Sequence, residues 1–233
     1  MLVTCMPFQA SNSFSEESLK EMVKEINSFR LKKPIYRTKS ESKQLLEKVI
    51  KRIEPFAIEI CLSARKDMDK CKWELEVVSS NQFNAYASGD NKISFYTGLV
   101  RGVHYEEELA FVVAHEIAHH IGNHINESLF STLAGAFFGA LIASESDLDV
   151  LSADISQAGA YVGRFSGSRK RESEADFIST MILKKAGYDL EKARVGLIRM
   201  TRTGLSKTSS KFLDSHPTGP ERLLAYDEIT KNL

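Results

Sequence analysis

The run Leu109-Ala110-Phe111-Val112-Val113-Ala114-His115-Glu116-Ile117-Ala118-His119-His120-Ile121 constrains this chain more than any other stretch in it. It reads as a hydrophobic helix that carries charge in its middle. At 3.6 residues per turn, His115 and His119 fall one turn apart on the same face, where both imidazoles can address a single ion. Burying two histidines and a glutamate among apolar side chains is costly unless something satisfies them. A divalent cation would do so. Two neutral imidazole nitrogens at about 2.0–2.1 Å, with one further protein ligand, leave a tetrahedral zinc ion one open position. Zinc held in this way makes hydroxide available near neutral pH and polarises a carbonyl. Glu116, next to the pair, can take a proton from water and return it to a leaving amine. The competing reading makes His115 and His119 hydrogen-bonded core residues and Glu116 a surface one; the rest of the chain decides between the two.

Bulk properties narrow the field. At 233 residues the chain is long enough for one substantial domain and short for two separate cores. Lysine plus arginine balance aspartate plus glutamate at 31 each, so no charge excess argues for nucleic acid. The longest apolar stretch, residues 129–143, falls short of the 18 or more expected of a spanning helix, and residues 127–143 with the weaker helical pattern of 147–162 read as a buried or lipid-adjacent hairpin of helices. Cys5, Cys61 and Cys71 show no CxxC spacing. Cys61 and Cys71 can pair in an oxidising compartment or remain two buried thiols, and spacing alone leaves both open. The apolar start ending at Cys5 could be the tail of a lipoprotein signal, although it lacks the charged start and full apolar core of one.

Along the chain, Leu19, Met22, Val23, Ile26 and Phe29 give helical spacing over residues 15–30, closed by Lys32-Lys33-Pro34. Thr38 and Glu41 have capping-box spacing ahead of Leu45, Leu46, Val49, Ile50 and Ile53, and Pro55 is expected to interrupt or kink that helix before residues 56–64 continue it. Residues 1–37 thus read as an N-terminal helical extension and 38–233 as the main domain. The period then changes to two. Trp73, Leu75 and Val77 alternate with Glu74, Glu76 and Val78, and Asn84-Ala85-Tyr86-Ala87 and residues 92–96 follow as strands of a hairpin-like unit closed by Thr97-Gly98. Three strands just before the histidine helix predict a small sheet packed on it. Its edge could hold an extended peptide by main-chain hydrogen bonds, or the sheet could simply brace the core.

A second acidic motif follows at Glu172-Ser173-Glu174-Ala175-Asp176. Glu172 and Asp176 share a helix face, so one carboxylate can complete a metal shell while the other hydrogen-bonds the far nitrogen of a ligating histidine. Glu174 lies about 160° round the helix and is expected in solvent. Near the end, His216 is preset by Pro217 in a loop leading into a helix, which suits a donor to an oxyanion. His104, His120 and His124 have no partner at ligand spacing and read as structural.

Taken together, HExxH at His115–His119, ExxAD at Glu172–Asp176, His216-Pro217 followed by Arg222, and the Asn84-Ala85-Tyr86-Ala87 segment with its following strand resemble the metallopeptidase family of the CAAX prenyl endopeptidases, HtpX and the Oma-type proteases. The resemblance runs from about residue 40 to the C-terminus. The match is to the soluble BepA/LoiP-like or Oma-type branch, because the transmembrane helices of HtpX and the prenyl proteases have no counterpart here. It implies an α+β, mostly helical zincin-like domain of the gluzincin type. In that family pattern one zinc is held by His115, His119 and Glu172, with Asp176 behind them. Glu116 is the general base, His216 stands near the open zinc position, and Asn84, Ala85, Tyr86, Ala87 and Arg222 lie on the substrate side. The implied activity is cleavage of internal peptide bonds in unfolded, misfolded or membrane-associated proteins, with membrane proximity but no spanning helix. The implied setting is a bacterial envelope or periplasm, with or without a lipid anchor, or alternatively a mitochondrion or the cytoplasm. The alternative function is a catalytically quiet or latent zinc-binding quality-control module.

Overall fold

A computed structural model describes residues 14–65, 67–88, 91–122, 168–205, 219–231 and 233. Its first helix, α1 (Glu16–Ser28), begins where Ser15 accepts the Ser18 amide and two glutamates occupy the first turn. Met22 and Ile26, one turn apart, supply its buried face. Helix α2 (Lys39–Arg65) opens on the expected capping box: the Thr38 amide donates to Glu41 Oε2 at 2.7 Å and the Glu41 amide to Thr38 Oγ1 at 3.1 Å. Pro55 does not end this helix, which runs unbroken for 27 residues. Ile53, Ala57 and Ile60 are buried on either side of the proline, and that packing carries the helix past the lost backbone bond. A 3-10 turn, Met68–Cys71, follows, and Cys71 forms a disulfide with Cys61 of α2. That settles the pairing left open by the spacing.

The strands are β1 (Glu74–Val78), β2 (Ala85–Ser88) and β3 (Lys92–Tyr96), in the order β1-β3-β2. β2 and β3 form the expected antiparallel hairpin, with Ala85 opposite Phe95, and Asn91 takes the left-handed φ of 58° that its turn requires. β1 crosses over to pair in parallel with β3, Leu75 opposite Ile93. β3 is therefore central and buries Ile93, Ser94 and Phe95, while β2 is an edge.

Helix α3 (Thr97–Gly102) starts against the loop before β2: the Gly98 amide donates to the Ser80 carbonyl at 2.7 Å. A Cβ on Gly98 would come within 2.3 Å of the Gln82 carbonyl oxygen, so only glycine allows this approach. The histidine-bearing helix is α4 (Glu106–Gly122), followed by α5 (Ser168–Lys185), α6 (Leu190–Leu205) and α7 (Pro220–Lys231). Glu108 Oε1 accepts the His104 and Tyr105 amides at the start of α4, and Glu108 Oε2 takes Arg199 Nε of α6 at 2.6 Å. Gly187, at φ 68°, ends α5, with the Tyr188 amide reaching back to the Leu183 carbonyl.

α4 is the axis of the molecule. α2, α5, α6 and β2 all pack on it, and every residue from Glu108 to Ala118 is buried. α1 rests on α6 and α7, fastened by Arg194, which binds both Glu25 and Asp227. The architecture is the α+β, mostly helical zincin-like domain that the motifs implied, with a small three-stranded mixed sheet beside the histidine helix. Among the described residues no helix is long and apolar enough to cross a membrane. The apolar stretch 129–143, Cys5 and His124 lie outside the described residues.

Candidate metal centre

The packing of α5 along α4 brings the two motifs face to face. His115 Nε2 and His119 Nε2 are 3.1 Å apart, and Glu172 places Oε2 3.3 Å from the first and Oε1 3.4 Å from the second. Ligands at about 2.0–2.1 Å from a tetrahedral ion stand about 3.3–3.4 Å from one another, close to this triangle. Two imidazoles and a carboxylate are also the donor set of a catalytic zinc site. His115 and Glu172 are enclosed, whereas the His119 side chain is 16% exposed, so the triangle opens on the His119 side.

Behind the triangle, Asp176 Oδ1 lies 3.0 Å from His115 Nδ1. This is the contact predicted from the shared helix face. A carboxylate at that position favours the proton on Nδ1 when the ring is neutral, which leaves Nε2 to face the triangle as a ligand atom. Asp176 is in turn gripped by Arg222 of α7, whose Nε and Nη2 each donate at 2.7 Å, while Nη1 donates to Glu172 Oε2 at 2.9 Å. One guanidinium thus sets both carboxylates.

The electrostatics follow from this enclosure. Burial disfavours a charged His115, yet its hydrogen bonds to Asp176 and Glu172 outweigh that and push it up to about 9. Burial acts to raise Asp176, and the Arg222 charge with the His115 contact holds it below the usual carboxylate range. The centre therefore attracts positive charge, whether a proton or a metal ion. Glu116 is fully buried beside the ligands, and its carboxylate charge reaches Arg222.

Two expectations need correction. Arg222 does not face a substrate: it is 3% exposed and turned inward, because Asp176 and Glu172, both buried, need a cation between them. Glu174 is not solvated: it is 8% exposed and packs over Gly122, where a Cβ would sit 3.3 Å from its Oε1. The reason is that α5 is enclosed on the side away from Glu172 as well, by the end of α4. Asn84 and Ala85 are buried and Tyr86 is exposed on the edge strand, its ring edge-on to Tyr96 at 5.9 Å. The Asn84 carbonyl accepts the Tyr96 amide at 3.0 Å, and Ala87 continues β2. His216 lies outside the described residues. The role of Arg222 had no local signal; only the surplus of buried carboxylate over cation in the ExxAD motif pointed to a missing partner.

Comparison with known proteins agrees with this geometry. Residues 45–230 match Peptidase family M48. The chain is 29% identical over 185 residues to the mitochondrial metalloendopeptidase OMA1 of Schizosaccharomyces pombe, an alignment covering 78% of this chain and 51% of that protein. It is 28% identical over 160 residues to the mitochondrial metalloendopeptidase OMA1 of Arabidopsis thaliana, covering 69% of this chain and 32% of that protein. The chain thus spans about half the length of the first relative and about a third of the second.

Proposed function

The chain belongs to peptidase family M48, and from that premise we propose that it is a zinc-dependent endopeptidase acting on unfolded or extended polypeptide. The observation that carries this reading is the triangle of His115, His119 and Glu172, whose ligand atoms stand 3.1–3.4 Å apart with Asp176 behind His115. One zinc per chain held there would supply a Lewis acid for the scissile carbonyl and a water acidic enough to attack it near neutral pH.

The protein's own groups do the rest. Asp176 keeps the Nδ1 proton on His115, so that Nε2 stays a ligand. Arg222 holds Glu172 Oε2 and Asp176 in place and balances their charge inside the core. Glu116 takes the proton of the attacking water on its carboxylate and passes it to the departing amine. The β2 edge, at Asn84, Ala85, Tyr86 and Ala87, holds the substrate main chain as an added strand. His216 donates to the carbonyl oxygen as negative charge develops on it. Residues 38–233 constitute the peptidase domain, with 1–37 an extension tied to it through α1.

Misfolded or membrane-associated proteins are the substrate class this reading favours. The names of both relatives support the mitochondrial setting, nothing in them supports a bacterial periplasm, and the Cys61–Cys71 disulfide favours an oxidising compartment. Casein cleavage tests the proposal. Glu116→Gln should retain the zinc content of the unaltered protein and lose about 10²–10⁴-fold in rate. Full activity in that variant, or casein cleavage that a chelator leaves untouched, would overturn it.

A further inference from the structure

Seven large apolar side chains are well exposed among the described residues, and four of them, Leu31, Ile35, Tyr36 and Tyr105, lie in or beside one short segment. Three of these sit in the extended segment between α1 and α2. Residues 30–39 hold five lysines and arginines and no acid, in a chain whose net charge is zero. A charge run with buried apolar neighbours would be an ordinary solvated connection. Here the apolar residues are outside with the cations, and Tyr36 is 82% exposed.

The segment is also held rigidly in this posture. Arg37 donates to the Val100 and Val103 carbonyls, Arg101 Nε donates to the Arg37 carbonyl at 2.7 Å, and the Ile35 amide donates to the Arg101 carbonyl at 2.7 Å. With Arg37 turned inward, its neighbour Tyr36 must face out. Cations lie beside the exposed rings: Lys32 Nζ is 5.7 Å from the centre of Tyr105, and the Arg101 guanidinium is 5.7 Å from that of Tyr36. Lys32 and Lys33 enter no ion pair among the described residues, so their charge is available to a partner.

We propose that this face, built on Leu31, Lys32, Lys33, Ile35 and Tyr36 with Tyr105 beside them, docks the protein on an anionic lipid bilayer. Lysines meet phosphodiester headgroups, tyrosines sit at the polar boundary, and leucine and isoleucine enter the outer acyl region. A soluble acidic partner would use the lysines and leave the apolar side chains without a role, which is why the bilayer is favoured. The face lies at the start of α4, away from the metal ligands, so the inference stands independently of the peptidase reading.

Flotation of the full chain with phosphatidylcholine vesicles, with and without added phosphatidylglycerol, tests it. The unaltered protein should float with the anionic vesicles only, and added salt should weaken binding. Lys32→Ser with Lys33→Ser should lower the partition coefficient about 30-fold, from the usual contribution of a lysine near a charged surface. Leu31→Ser with Tyr36→Ser, which leaves charge unchanged, should lower it about tenfold. All four side chains are exposed, so melting temperature and casein cleavage should not change in either double variant. Absence of flotation by the unaltered protein overturns the proposal. So does flotation insensitive to the apolar pair, or equal retention on soluble polyglutamate, since either result assigns the face to acidic polypeptide.

Discussion

Asp176 and Glu172 are two carboxylates in the core with one guanidinium between them, and that arithmetic decides what single substitutions do. Arg222→Met keeps the bulk and removes the charge. The stranded carboxylates should cost about 3–5 kcal/mol, read as a lower midpoint in urea, and saturating zinc should restore part of it. His115 gives a prediction in pH. Its proton is held up to about 9 in the fold and near 6.5 in the unfolded chain. In chelator-treated protein, the stabilisation from protonated His115 is complete below about 6.5 and is lost as pH rises through about 9. Zinc-loaded protein binds that nitrogen in its neutral form and should not show this loss. Melting temperatures across that window, with and without zinc, check the claim; a flat profile for chelated protein would count against it. His115, His119, Glu172 and Asp176 were all legible in the sequence because each pair sits one helical turn apart, a local geometry that spacing fixes. Arg222 was misread because its partners lie 46 and 50 residues away in sequence.

At the scale of elements, local chemistry was legible and pairing was not. The Thr38–Glu41 cap follows from a short-range rule and formed as read, and the stop of α5 at Gly187 rests on chemistry of the same short range. The alternation in β1 specified which side chains face inward but not which strand it joins, and the parallel match to β3 is a tertiary outcome. Glu174 was misplaced for a related reason: helix geometry gives its direction, whereas its burial depends on how the end of α4 covers α5. The start of α3 yields a test of its own. Gly98→Ala would drive a Cβ into the backbone of Asn81 and Gln82, where no side chain can rotate away. A loss of at least about 1–3 kcal/mol is expected, with the β2 edge disturbed because the displaced loop leads into it. Equilibrium denaturation measures the first, and amide exchange at Ala85 and Tyr86 the second.

For the molecule as a whole, the decisive fact is where α4 lies. A helix enclosed by α2, α5, α6 and β2 carries two of the three proposed ligands, and α5 supplies the third. These ligands can separate only if α4 and α5 part, and parting them would open the core that also holds Phe111, Phe177 and Tyr226. Loss of zinc on heating, followed by a metal-sensitive dye, should therefore coincide with the loss of helical signal; a release step well below the melting transition would contradict this. An ion seated between such helices would act as a rivet through the keel: the vessel keeps its shape while the rivet holds, and neither comes away alone.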